Sequence, residues 1–285
     1  MNIMEKLESL KKNCIELKIK NEENYKLGAT RFGGKPDVPS DFIWPTFKGE
    51  DIENVVKERP LTFLAQFNCE EISKYDHEHL LPEHGLLSFF YETDTQCWGF
   101  DPQDKGCARV YWSEDISSLV AGEFPTEMEE DFKFPMLKIN ISAKPSYPSW
   151  GDFSEIFPEE EDNYDTFDKL KDELTKENSD SFEQRSKLLG WPDVIQSSMY
   201  KECDLVTQEF YLGNSDGWSK IPKDVRKHAE ESARDRWTLL FQLDTVEGDD
   251  FELMFGDCGH IYFYIMKEDL KEKRFDRIWL ILQCY

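Results

Sequence analysis

Arg31 and Arg109 stand among aromatic and glycine residues in a chain that carries 59 acidic and 34 basic side chains, and Asp257 lies between Gly256 and Cys258. A guanidinium in such a stretch needs carboxylate or carbonyl partners, because its five donors are costly to leave unpaired. Trp44 and Trp98 fall in neighbouring motifs. Two assignments follow. The first makes the arginines cross-links within the fold. The second makes Arg31, Trp44, Trp98, Arg109 and Asp257 the lining of a pocket for an anionic or planar ligand. Gln66 and Gln242 join this candidate ligand-binding set. Each is a lone amide in an apolar run, and a buried amide requires a specific hydrogen-bond partner.

Other chemistries find less support. His77, His79 and His84 crowd into one short stretch with Glu78 and Glu83. On an extended chain His77 and His79 point the same way, yet the spacing matches no zinc motif, so no metal is expected. Around Lys35 the chain reads Ala29-Thr30-Arg31-Phe32-Gly33-Gly34-Lys35-Pro36. A phosphate-binding loop needs glycine at 29 and serine or threonine at 36, so neither the turn nor the magnesium-binding hydroxyl is present. With no dinucleotide fingerprint and no Gly-x-Ser-x-Gly elbow either, no cofactor is expected and catalytic residues stay unassigned.

The elements that must position these residues are mostly short strands. Candidates are Leu61–Phe67, Leu86–Tyr91, Ala108–Trp112, Met136–Ile141, Trp237–Asp244, Phe251–Phe255, His260–Met266 and Arg274–Gln283. Each is rich in aromatic or β-branched residues and bounded by turn formers. Helices are predicted near 163–189 and 221–234, the second with Pro222 in its first turn. Residues 2–19 read as an amphipathic helix, because Ile3, Leu7, Leu10, Cys14 and Leu17 recur at spacings of four and three. Residues 1–20 are therefore expected to pack as a helix on one domain spanning 21–285.

An echo joins distant strands. Thr62-Phe63-Leu64-Ala65-Gln66-Phe67-Asn68 matches Thr238-Leu239-Leu240-Phe241-Gln242-Leu243-Asp244, an offset of 238 − 62 = 176. Gly85 to Tyr91 matches Gly259 to Ile265, an offset of 259 − 85 = 174. Two nearly equal offsets imply duplication of a strand unit, with pseudo-repeats around 60–113 and 236–285. The expected fold is mainly β (α+β), a single β-roll-like domain with peripheral helices.

The formal net charge of −25 disfavours nucleic acid and anionic membrane, which are bound through lysine and arginine. Residues 152–183 hold 13 acidic and 3 basic residues, a net of 13 − 3 = 10 negative charges. That segment is either a solvated face or a docking surface for a basic protein partner. With seven irregularly spaced cysteines, no apolar h-region at the start and no long apolar run, the cytoplasm is the expected compartment.

Several of these segments occur in a recognisable order. They are Arg31-Phe32-Gly33-Gly34-Lys35-Pro36 with Trp44-Pro45, Pro60 to Gln66, Trp98-Gly99-Phe100-Asp101-Pro102 leading to Arg109-Val110-Tyr111, Leu188-Leu189-Gly190-Trp191-Pro192 with Ile195-Gln196, Phe255-Gly256-Asp257-Cys258-Gly259, and Phe275 to Trp279 with Leu282 to Tyr285. From about residue 28 onward the chain resembles the YwqG-like family of uncharacterised bacterial proteins. The resemblance implies a single, mainly β roll, transfers no catalytic residue, and is weakest over 152–183. Some relatives look associated with bacterial toxin systems, which implies an immunity- or antitoxin-like role. The reading that follows is a cytosolic acidic binding protein engaging a basic protein. The alternative is a small-ligand-binding protein or enzyme built on the arginine, glutamine and aspartate set.

Overall fold

The structure, a computed structural model, describes residues 1–22, 26–50, 55–175 and 184–285. Ten strands form one antiparallel sheet. In chain order they are β1 (Lys12–Lys20), β2 (Arg31–Phe32), β3 (Thr62–Asn68), β4 (Leu86–Tyr91), β5 (Ala108–Ser113), β6 (Leu137–Ser146), β7 (Lys187–Leu188), β8 (Trp237–Asp244), β9 (His260–Met266) and β10 (Trp279–Gln283). Their spatial order is β10-β9-β8-β7-β1-β6-β2-β3-β4-β5. The sheet curls until it nearly closes, and the turn Phe275–Arg277 ahead of β10 packs against β5 at the opposite edge.

Curling brings the two ends of the sheet face to face. Phe89 of β4 meets Phe241 of β8 at 4.8 Å and Phe263 of β9 at 5.2 Å between ring centroids. Phe67 of β3 lies 5.3 Å from Phe241. All four rings are fully buried. Rings of this size dominate core energetics, so removing one costs about 3–5 kcal/mol.

The echo is a structural duplication, and its two copies are interlocked. Strands β1 to β5 form one repeat and β6 to β10 the other, each containing a two-residue strand, β2 or β7. The first strands are exchanged. β1 lies beside β7 of the second repeat, and β6 lies beside β2 of the first. The exchanged strands also pair with each other from Lys12↔Ser146 to Lys20↔Lys138. Neither repeat closes its half of the sheet alone, so the fold is one domain. Even the irregularity is copied, because β3 bulges at Leu64 and β8 at Leu240, at the 176-residue offset.

Helices cover the outside. Eight are formed among the described residues: α1 (Ile3–Ser9), α2 (Cys69–Ile72), α3 (Trp150–Ile156), α4 (Tyr164–Thr175), α5 (Tyr200–Val206), α6 (Ser215–Lys220), α7 (Lys223–Arg236) and α8 (Lys267–Lys271). α5 and α7 bury Met199, Cys203, Ala229 and Ala233 against Trp237, Leu239, Tyr264 and Ile281 on the outer face of the second half. α1, α3 and α4 gather Leu7, Phe153 and Phe167 around Tyr147. No helix among the described residues is long and apolar enough to cross a membrane.

The helix expected over 2–19 is confined to α1, and this is a correction to the sequence reading. Asn2 caps α1 in a reciprocal box with Glu5, and the helix ends at Leu10. From Lys12 onward Ile15, Leu17 and Ile19 alternate with Glu16 and Lys18, and β1 has partners on both sides. The three-and-four spacing through Cys14 and Leu17 coincided with a strand whose long-range pairing overrides local pattern. Further differences are smaller: the helix expected over 163–189 is formed over Tyr164–Thr175, with Lys187–Leu188 a strand, and Arg274–Gln283 shortens to Trp279–Gln283. Phe251–Phe255 shortens to a Glu252–Leu253 pairing with Val246–Glu247. Pro222 is the residue before α7 rather than inside its first turn.

Candidate functional site

The sequence-selected polar residues resolve first. Beneath the turn after β2, Arg31 Nη1 donates to Asp37 Oδ2 at 2.7 Å. Gln66 Nε2 donates to the same oxygen at 2.7 Å and to Ala29 O at 2.9 Å, while Gln66 Oε1 accepts from Asp37 N at 3.0 Å. The second repeat copies this network. Lys187 Nζ lies 2.5 Å from Asp193 Oδ2. Gln242 Nε2 donates to that oxygen at 2.9 Å and to Arg185 O at 2.6 Å, and Asp193 N donates to Gln242 Oε1 at 2.9 Å. Residues 29, 31 and 37 map to 185, 187 and 193 at one offset, 187 − 31 = 156. The amides are thus spent on holding a turn to a bulged strand. Gly33 N also donates to the bulge carbonyl of Leu64 at 2.8 Å, and Leu189 N to that of Leu240 at 3.2 Å.

Elsewhere the set disperses. Trp44 Nε1 donates to Leu61 O at 2.8 Å, and its ring packs 5.5 Å from Phe90 on the outer face of the first half. Arg109 is half-buried on β5 beside Gly106. Trp98 and Asp257 are exposed, and their carbonyls accept from Leu282 N and Tyr285 N beside the C-terminal strand. None of the seven lines the cavity described below. Of the histidines, His77 and His84 are exposed, and His84 Nε2 lies 3.3 Å from Glu114. Among the described residues no group of three or more histidine, cysteine, aspartate or glutamate side chains could hold a metal.

Sequence reasoning did not select that cavity, although His79 of the histidine stretch lines it. It opens at one end of the roll, where the chain after α2 faces α8, and its volume is about 620 Å³. Ligand pockets run from roughly 300 to 1,000 Å³. Leu80, Leu81, Pro82 and Leu270 supply an apolar wall, with Gly190 and Thr238 between the halves. The polar lining is Lys12, Lys267, Lys271 and Lys273 with Glu78 and His79.

Local structure explains this placement. Lys267, Leu270 and Lys271 share one face of α8 at helical spacing. Asp269, on another face, takes Arg274 Nε at 2.6 Å and Arg277 Nη1 at 3.4 Å. The opposite wall is clasped to β1. Asn13 N donates to Glu78 Oε1 at 2.8 Å, and His77 N donates to Asn13 Oδ1 at 2.9 Å. Gly190 has to be glycine, because at φ 78° a Cβ there would lie 2.7 Å from Cys14 Cβ.

Charge sets this mouth apart from a second cavity, beside α7. In a chain of net charge −25, four lysines meet a single glutamate. Among the described residues none of the four has a carboxylate within 4.0 Å. The cavity beside α7, of about 320 Å³, shows the contrast. There Arg234 is held by Glu155, and Lys201 lies 3.9 Å from the same carboxylate.

Lys12 is the unusual member. It is half-buried, and its Nζ sits 3.8 Å above the Trp191 ring, which is fixed by Nε1 donating to Leu10 O at 2.7 Å. Burial, then the nearby Lys267 ammonium, lowers the Lys12 amine to about 8, partly offset by Asp152 and Glu78. The arrangement can attract an anion and present an amine to it.

The acidic segment is partly internal. Asp152 is buried, and burial raises its carboxyl. Glu159 and Glu160 clamp Lys6 of α1 at 2.5 and 2.6 Å. Glu161, Asp162, Asp165 and Glu173 are exposed, and residues 176–183 lie outside the described residues.

A family model described as a domain of unknown function, DUF1963, matches residues 30–284. Comparison with curated proteins finds no match.

Proposed function

We propose, from the premise that the chain belongs to the DUF1963 family and that this family's description assigns no activity, that the protein binds a small anionic ligand in the lysine-lined mouth of its roll. The narrower YwqG-like resemblance is consistent with that membership. One observation carries the reading: four lysines without carboxylate partners line the walls of a largely apolar cavity in a strongly acidic protein. At Lys6 and Arg234, by contrast, cations are neutralised by the protein's own carboxylates. Withholding them here leaves a local positive field that steers an acid inward, while the apolar wall receives its body.

The test is a thermal-shift and calorimetric screen of aromatic and aliphatic carboxylates and phosphate esters at low and high salt. Binding is expected to raise the melting temperature and to weaken as salt screens the lysines. Replacing Lys267, Lys271 and Lys273 together with alanine is expected to abolish that rise. The unliganded melting temperature should fall only slightly, because these exposed lysines lose just the Lys267 Nζ bond to Arg234 O at 3.4 Å and the Lys273 ammonium over the Trp112 ring at 4.3 Å. An undiminished shift in the triple variant would overturn the reading.

A second reading is engagement of a basic protein, immunity-like, through the acidic segment. One observation favours it: the exposed carboxylates of 161–173 belong to a helical insertion between β6 and β7 for which the short β1–β2 link has no equivalent. Charge reversal at Glu161, Asp162, Asp165 and Glu173 should then abolish capture of the partner from host lysate. Unchanged capture removes that surface from consideration.

A further inference from the structure

We infer that Lys12 is a carbonyl-reactive amine that captures an aldehyde bearing an anionic group as an imine inside the mouth. This rests on the anion-binding reading of the same cavity and adds a covalent step to it. A nucleophilic lysine needs access, immobility and a neutral nitrogen. Access comes from its place in the cavity lining. Immobility comes from the Trp191 ring beneath it and from its position as the first residue of β1. The third condition is met because no carboxylate within salt-bridge reach, among the described residues, retains its proton.

The charged groups around the amine come from four elements. Lys267 on α8 and Arg234 on α7 disfavour the ammonium, while Asp152 on α3 and Glu78 beyond α2 favour it. The Trp191 face also favours the cation. Burial and Lys267 prevail, leaving the amine at about 8. Near neutral pH the neutral amine is therefore far more populated than in an ordinary lysine. A neighbouring cation and desolvation are the two devices by which amine nucleophiles are activated.

The chemistry balances without an oxidant or reductant. The nitrogen lone pair forms the C–N bond as the carbonyl π pair moves to oxygen. Both N–H protons end on that oxygen, which leaves as water while the C=N bond forms. Lys271 and Lys273, on the facing wall, hold the aldehyde's anionic end.

The experiment uses the full chain and 4-formylbenzoate, with sodium cyanoborohydride added only to trap the imine, followed by peptide mass mapping. One label per chain is expected at Lys12, with a rate that rises through pH 8. Benzaldehyde, which lacks the carboxylate, should label Lys12 at least tenfold more slowly, while the α-amino group, as internal reference, reacts equally with both aldehydes. Labels spread evenly over surface lysines, or an unmodified Lys12, would overturn the inference. Terephthalate separates the two levels. If it raises the melting temperature in a Lys271-dependent manner while Lys12 stays unlabelled, only the amine chemistry fails. If it does neither, the binding reading fails as well. Lys12→Arg should abolish labelling.

Discussion

Beneath the first-repeat turn, Arg31 and Asp37 are sealed, with side-chain exposures of 1% and 0%. Beneath the second, Lys187 and Asp193 stand at 11% and 26%. The glutamine, the bulged strand and the bond pattern are shared, so the difference lies in the cation and its access to water. A sealed guanidinium needs several fixed acceptors, and Arg31 finds a second in Lys35 O at 2.6 Å. An ammonium near the surface can complete its shell with solvent, so lysine suffices in the second repeat. One duplicated device has thus become a deep cross-link on one side and a hydrated one on the other.

The largest expected effect comes from stranding a sealed charge. Arg31→Ala should cost about 3–5 kcal/mol in urea unfolding, because Asp37 is left buried and uncompensated. Lys187→Ala should cost about 1–2 kcal/mol, since solvent reaches its partner. Equal losses would break the comparison. Next come the glutamines, each replacement leaving buried groups unpaired at about 1–3 kcal/mol. A double-mutant cycle of Gln242→Ala with Asp193→Ala should show non-additivity, and simple addition would argue that the amide acts alone.

A pH dependence is also expected on the hydrated side. Burial pushes the Asp193 carboxyl up, but Lys187 and the Gln242 amide outweigh it and hold it at about 2. Its folded value lies below its unfolded one of about 3.9. The stability it contributes is therefore present above about pH 4 and is lost as pH falls toward 2. Asp193→Asn should flatten that limb of the stability profile and lower the neutral plateau by the same contribution. An unchanged acid limb would assign the slope to other carboxylates.

How much of this was legible in the sequence depended on where each signal lay. The echo at Gln66 and Gln242 was visible because the β3 and β8 strands are long and aromatic. The rest of the cross-link was not, because β2 and β7 are two residues long and their repeat offset is 156 rather than 176. β1 was hidden by a spacing that also fits a helix. The mouth could not be read at all. Lys267, Lys271 and Lys273 look like a solvated face among Glu268, Asp269 and Glu272, and Lys12 stands 267 − 12 = 255 residues away. Only closure of the roll brings them to one cavity.

Exchange of the first strands has a consequence for ancestry. A chain cut between β5 and β6 would give two fragments, each carrying a strand whose two neighbours are both in the other. Such fragments should acquire structure only on mixing, and independent folding of either would argue against the exchange as a structural necessity. This is the pattern left when two half-length protomers trade an arm and are later joined head to tail by gene fusion. The β1–β6 pair, now the spine of one chain, would then be a former subunit interface made covalent.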